Sequence, residues 1–231
     1  MRVGFVIPAY QAEKSVADVV RGLRRELGGE AAPIVVVDDG STDATREVAL
    51  AAGAAIEQHP ENMGKGAALV TGFRALMRAG ADAGVCVDAD GQHPPEEAVR
   101  LARLAAPRTA LVLGVRDLAR DGAPKKNRFS NGFSNQFLSF ALGRTLSDTQ
   151  CGLRRYPLPE TLTLGARASG YGYEAELILR AVRAGWEIVE EPVRVIYPPE
   201  SERVTHFHSV RDPARIVYRV LLTLATAPRQ R

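Results

Sequence analysis

Asp88 and Asp90 stand one residue apart in VCVDADGQHPPEEAV, directly after an apolar run. On an extended backbone, alternate side chains share a face. At a strand end, one carboxylate can turn inward to orient a site while the other reaches a divalent cation. Mg²⁺ and Mn²⁺ need few protein carboxylates when a diphosphate supplies the remaining oxygens. The same residues also suit an ordinary Asp- and Gly-rich turn. A second acidic pair, Asp38-Asp39, opens DDGSTD. An aspartate there can accept hydrogen bonds from a ribose or a base N–H, or cap a following helix. Lys65, in NMGKG, sits near a helix start, where an anion is welcome. The spacing is not that of a Walker loop. His93 follows Asp90 by three residues, close enough to bond a phosphate or an adjacent carboxylate. The 4 histidines (59, 93, 206 and 208) show no HExxH or other zinc spacing, and G-x-S-x-G is absent. Zinc and serine hydrolase chemistry are therefore disfavoured.

The elements that position these residues alternate between strand and helix. Val3–Ile7 and Ile34–Val37 are wholly apolar runs, the pattern of parallel strands covered on both faces. Further strands are expected at Ala54–Gln58, Gly84–Val87 and Leu111–Gly114. Helices are expected at Glu13–Leu27, from Ser41 or Thr42 (as cap) to about Ala52, at Lys65–Ala79, and from Pro94 or Pro95 to about Ala105. This alternation predicts an α/β fold with an open, mostly parallel sheet flanked by helices. Ligands in such sheets lie beyond the carboxyl ends of the strands, where both aspartate pairs fall. After Arg116, residues 117–129 read as a loop and Phe133, Phe137, Leu138, Phe140 and Leu142 as an amphipathic stretch. Residues 147–152 read as a loop, Tyr173–Ala184 as a helix, and Glu187–Tyr197 as an edge or bent strand because of Pro192. A polar loop (198–210) and a terminal helix (211–226) complete the pattern.

With 231 residues and a net charge of +3, the chain is long enough for one sizeable domain and too nearly neutral to demand nucleic acid. No basic stripe with interleaved aromatics supports nucleic-acid binding. Arginine outnumbers lysine 26 to 4, which suits phosphate recognition through a planar fork. Cys86 and Cys151 make no disulfide framework, so a reducing compartment is the default. MRVGFVIPAY reads as strand and turn rather than a secretory signal, and no apolar run has the length of a membrane span.

Taken together, VIPAYQAEKSV (6–16), VVVDDGSTDAT (35–45), ENMGKGAAL (61–69), VDADGQHPPE (87–96), LGVR (113–116), DTQCGLRRY (148–156) and the run from Gly170 through EAELILRAVRAGWEIVEEPV (174–193) resemble glycosyltransferase family 2. Within it they are most similar to the dolichyl-phosphate mannosyltransferase-like branch that glycosylates polyprenyl phosphates. The pieces keep family order and cover nearly the whole chain. The resemblance implies a GT-A fold across a single domain at 1–231, with a nucleotide-sugar-binding half (1–116), an acceptor-side half (117–210) and a C-terminal helix (211–227). It implies a UDP- or GDP-sugar donor, Mg²⁺ or Mn²⁺, and transfer with inversion.

By the family pattern, Pro8, Tyr10 and Glu13 open the donor pocket. Asp39 contacts the nucleotide with Asp38 beside it, and Lys65 lies near the donor. Asp88 and Asp90 are the metal pair. Gln92 and His93 lie next to the diphosphate, and Arg116 follows the next strand. Asp148 is expected on the acceptor side, as the general base or as an acceptor-side carboxylate, with Glu174 on the helix after it. Arg128, ahead of the aromatic stretch, is expected at the rim of a lipid phosphate site. Two features depart from the pattern. Gly91 replaces a bulky residue in the DADLQHP-like element, and YPPESERVTHFHSVRD (197–212) replaces the usual ending. That tail resembles a bacterial subgroup and offers Arg203, His206, His208 and Arg211 to clamp a phosphate.

The expected acceptor is a polyprenyl phosphate or another lipid on the way to a cell-envelope glycan. The expected location is cytoplasmic, at the inner face of the membrane, with peripheral contact through 129–142 or the terminal helix. A core role for those stretches is the alternative. Transfer to a glycan or small metabolite would instead require a closed polar pocket. A non-catalytic binding domain would have lost the metal pair. A nucleotidyltransferase would carry a glycine-rich basic loop where IPAYQAEKSV stands.

Overall fold

The computed structural model describes residues 1–168, 170, 172–197 and 220–224. One mixed sheet carries both halves. Its strands are β1 (Val3–Ala9), β2 (Ile34–Asp38), β3 (Ala55–Gln58), β4 (Ala83–Cys86), β5 (Leu111–Arg116), β6 (Arg154–Pro157) and β7 (Ile188–Val193). Their order is β3-β2-β1-β4-β6-β5-β7. β6 runs antiparallel to β4 and β5, while the other pairings are parallel. The helices are α1 (Val16–Leu27), α2 (Thr45–Ala51), α3 (Lys65–Arg78), α4 (Pro95–Arg103), α5 (Lys125–Leu142), α6 (Glu160–Thr163) and α7 (Gly172–Arg183). Residues 220–224 are also helical.

The two-residue strand period divides the core. Val6, Val35, Val37, Leu111 and Leu113 point to one face, against α3 and α7. Phe5, Ile7, Ile34, Val36 and Val112 point to the other, against α1 and α4. Continuous apolar strands are thus buried on both sides, as their composition requires. Helix α3 lies so close to β1 that a Cβ on Gly72 would come within 2.1 Å of Val6 Cγ2.

Several expected boundaries move for identifiable reasons. Helix α1 starts at Val16 because residues 11–13 bond to the neighbouring loop instead: Gln11 N donates to Ser41 Oγ, Ala12 N to Thr45 Oγ1 and Glu13 N to Asp43 Oδ2. For the same reason Ser41 and Thr42 do not cap α2, which begins at Thr45. Gln11 has a φ of 52° and accepts from Thr42 N and Asp43 N, bonds that hold this left-handed residue in place. Residues 117–129 are not all loop, since α5 begins at Lys125. Strand β6 and helix α6 appear where none was expected. The loop at 198–210, with Arg203, His206 and His208, and the start of the terminal helix, with Arg211, lie outside the described residues.

Candidate active site

β1, β2, β4 and β5 point the same way, so the residues after them share one edge of the sheet. Tyr10, Asp38-Asp39, Asp88, Asp90 and Arg116 fall there. Helices α3 and α7 and the 148–152 loop complete the surroundings.

The acidic pair divides because the chain turns after β4, at residues 89–90, rather than continuing as a strand. Asp88 turns inward, with Oδ1 at 2.7 Å from Lys65 Nζ. Its carboxylate packs over Gly152, where a Cβ would lie 1.9 Å from Oδ2. Lys65 also reaches Glu174 Oε2 at 3.1 Å. Burial works to lower the lysine pKa, but Asp88 and then Glu174 outweigh it and hold the ammonium well above its ordinary value. Asp90 is exposed, and its Oδ1 accepts a hydrogen bond from Gln92 N at 3.0 Å. Loss of solvent around its carboxyl, then the Asp88 charge, push it up to about 6.

Among the described residues, no group of three or more His, Cys, Asp and Glu converges to hold a metal on protein ligands alone. Asp90, with Asp88 beneath it, fits a hard cation whose other ligands are substrate oxygens and water. The pair is therefore not symmetric. Asp90 presents the accessible oxygen, whereas Asp88 must share its Oδ1 with Lys65.

His93 is 4% exposed and its Nδ1 makes no hydrogen bond among the described residues. Its Nε2 lies 3.9 Å from Cys151 Sγ. Burial pushes the ring down to about 4, with Asp88 opposing and Arg116 adding to the shift. The imidazole is neutral near pH 7. This buried, neutral ring fits a packing or polar role beside Asp88 better than the catalytic role expected for it.

Asp148 does not fit the expected role of general base. It is 0% exposed and receives five hydrogen bonds. Arg116 Nε and Nη2 donate at 2.7 and 3.0 Å and the Arg116 amide at 3.2 Å. The Gln150 and Cys151 amides donate at 3.1 Å each. Burial alone would raise its carboxyl, but Arg116 and these amides hold it below the usual carboxylate range. Such a group is a weak proton acceptor. Its effect is to orient Arg116.

Asp39 also has protein partners. It is 3% exposed, lies 2.6 Å from His59 Nδ1, and accepts from Met63 N and Gly64 N at 3.0 and 2.8 Å. Its carboxylate fixes the loop that delivers Lys65. Asp38 is 1% exposed and accepts from Ser41 N. Pro8 and Tyr10 are half-buried at the β1 end. Glu13 is exposed and accepts from Ala44 N at 3.1 Å, so it joins the first two loops. Gln92 O accepts from Ile196 N, tying the segment after β7 to the site.

Glu174, expected to meet the acceptor, is instead buried behind Lys65. Arg128 is exposed on the first turn of α5. Arg154, to which the sequence pointed no role, is 1% exposed and donates to Cys151 O and Thr149 O at 2.7 and 2.8 Å, shaping the loop that carries Asp148 and Gly152. It lies inside DTQCGLRRY, but an arginine in a short polar run gives no sign of burial.

Helix α5 serves two environments. Leu138 is buried and Phe137 packs against the core. Phe129, Phe133 and Phe140 are 80%, 52% and 89% exposed. No acidic residue occurs on this helix, and Lys125 and Arg128 stand in its first turn. No helix among the described residues is long and apolar enough to cross a membrane.

The sequence matches the profile of Glycosyl transferase family 2 over residues 5–161. An undecaprenyl-phosphate mannosyltransferase from Micrococcus luteus is 31% identical, over 85% of this chain and 84% of that protein. A UDP-N-acetylglucosamine–dolichyl-phosphate N-acetylglucosaminyltransferase from Methanococcus voltae is 28% identical, over 94% of each. In fold, the chain is similar to glucosyl-3-phosphoglycerate synthase from Mycobacterium tuberculosis, crystallised with Mn²⁺, UDP and phosphoglyceric acid. The TM-score is 0.71 at 22% identity, covering 98% of this chain and 79% of that one. Relatives therefore come from archaea as well as bacteria, so the resemblance does not fix a bacterial origin.

Proposed function

The chain belongs to glycosyl transferase family 2 and is a glycosyltransferase of GT-A fold, and from that premise we propose that it moves a sugar from a UDP- or GDP-linked donor to a polyprenyl phosphate, with Mg²⁺ or Mn²⁺ and with inversion. The observation that carries the acceptor class is the state of the acceptor-side carboxylates. Asp148 is paired with Arg116 and Glu174 with Lys65. A hydroxyl acceptor needs a general base. A phosphate acceptor is already anionic and needs cations. The described site is rich in cations and holds its acceptor-side carboxylates away from proton transfer. The names of the M. luteus and M. voltae relatives, which specify undecaprenyl and dolichyl phosphate, support the same class.

In this reading a phosphate oxygen of the acceptor attacks the anomeric carbon. The bond from that carbon to the donor diphosphate breaks, and the nucleoside diphosphate departs with the electron pair. No proton changes hands. Asp90, with Asp88, holds the cation, which when bound neutralises charge on the leaving diphosphate. Lys65 and Arg116 add fixed positive charge at the same sheet edge, where preorganised charge is most effective. The loops tied together by Gln11, Glu13 and Asp39 shape the donor pocket around Pro8 and Tyr10. Arg128 and the exposed phenylalanines of α5 bring the site to a lipid surface, at the inner face of the cytoplasmic membrane.

The test is turnover of a panel of UDP- and GDP-sugars with Mn²⁺, Mg²⁺ or EDTA, with and without a short polyprenyl phosphate, beside Asp90→Ala. The expected result is EDTA-sensitive turnover of one donor, raised by the lipid phosphate and lost in the variant. Metal-dependent turnover indifferent to the lipid would overturn the acceptor and favour a glycan or small metabolite. Absence of binding or turnover for every donor would overturn the reading as a whole.

A further inference from the structure

Lys65 is held by two carboxylates from different elements, Asp88 after β4 and Glu174 on α7. The distance between the helices is fixed by close packing: a Cβ on Gly66 would meet Tyr173 Cβ at 2.6 Å and Ala168 O at 2.7 Å. Glu174 is 6% exposed, and its Oε1 makes no hydrogen bond among the described residues. Arg154 Nε stands 3.9 Å from that oxygen and donates instead to Cys151 O. Among the described residues, the short contact made by the Glu174 carboxylate is the one to Lys65.

Resting on the function proposed above, we infer that Glu174 is a positioning residue for Lys65, giving the ammonium a second anionic partner so that Asp88 can turn to support a divalent cation at Asp90. A metal arriving at this pair competes with Lys65 for Asp88. With Glu174 present, the ammonium retains an anionic partner as Asp88 turns toward the metal. With Glu174 neutral, the buried ammonium depends more heavily on Asp88 and resists the exchange. The cost falls on cation binding, and only while Lys65 is present.

The experiment measures Mn²⁺ affinity by the electron paramagnetic resonance signal of free Mn²⁺, with UDP or GDP present. The proteins are wild type, Glu174→Gln, Lys65→Met and the double variant, each also checked by thermal unfolding. Glu174→Gln is expected to weaken Mn²⁺ binding roughly tenfold, the lower end of the range for residues that support metal ligands. The double variant is expected to match Lys65→Met, because no ammonium remains to be positioned. An equal loss in both backgrounds, or no loss in Glu174→Gln, would overturn the inference. If the single variant fails to fold, the comparison of Lys65→Met with the double variant decides: equal affinities support the inference and unequal ones overturn it. A wild type that binds Mn²⁺ with neither nucleotide would overturn the proposed function, and the inference with it.

Discussion

Residues 1–116, the expected donor-side half, and the residues after them, the expected acceptor-side half, share one sheet but are stabilised differently. In the donor half, Ile34, Val35, Val36 and Val37 are all buried within apolar clusters. In the acceptor half, Arg154, Arg155, Asp148, Glu174 and Glu176 are buried as well. Arg155 Nη1 donates to Leu101 O, Ala102 O and Leu104 O around the end of α4. Glu176 accepts from the Arg167 and Ala168 amides and from Arg180. Apolar burial is non-directional and tolerant. A buried charge network is directional, and removing one partner leaves another uncompensated. The donor half thus supplies an apolar platform and the site cations Lys65 and Arg116, and the acceptor half supplies the buried anions Glu174 and Asp148 that aim them.

The largest test of this contrast is Asp148→Asn. It leaves Arg116 buried without its anion and should cost about 3–5 kcal/mol in denaturant unfolding. Because the folded-state pKa of Asp148 is depressed, its contribution is present above the unfolded aspartate value near ~4 and is lost as pH falls through the folded value. The variant should therefore lose stability at neutral pH and show a flatter acid limb. Next comes Asp90→Asn, expected to slow transfer by roughly 10²–10³, as for loss of a charge-stabilising group. Because lost solvent and the Asp88 charge hold the Asp90 carboxyl up at about 6, the ionised group opposes folding at pH 7, and the variant's unfolding midpoint should rise rather than fall. In the donor half, Ile34→Val should cost only about 0.5–1.5 kcal/mol by the same unfolding measurement. If it equals or exceeds Asp148→Asn, the contrast between halves fails. Smallest in stability is Phe129→Ser with Phe140→Ser, each within about 0.5 kcal/mol because the rings are exposed. The same pair should reduce co-sedimentation with anionic vesicles. Unchanged sedimentation would remove α5 as the lipid contact.

This contrast also explains what the sequence revealed. The strands and helices of the donor half follow apolar periodicity, and Asp88 and Asp90 fall at a strand end by position alone. Periodicity fails where burial is polar. Arg-Arg-Tyr-Pro (154–157) reads as a surface segment, yet it forms β6 between β4 and β5, with Arg154 donating to the nearby Cys151 and Thr149 carbonyls and Arg155 Nη1 to carbonyls at the end of α4. The same limit applies to the site. The family resemblance brings Asp148 and Glu174 forward as carboxylates, but their pairing with Arg116 and Lys65 depends on the folded loop and on the approach of α7 to α3. For Asp39, the sequence offers a ligand contact or a helix cap, and the bonds to His59 and to the amides of Met63 and Gly64 depend on loops that only the folded chain brings together.

The central claim is that the acceptor is an anionic phosphate needing no base. Its most direct test offers the enzyme undecaprenyl phosphate and undecaprenol side by side, with the donor it turns over, and identifies products by mass. Glycosyl transfer to the phosphate alone is the predicted result. Equal transfer to the alcohol, or transfer to neither while donor and metal bind, would contradict it.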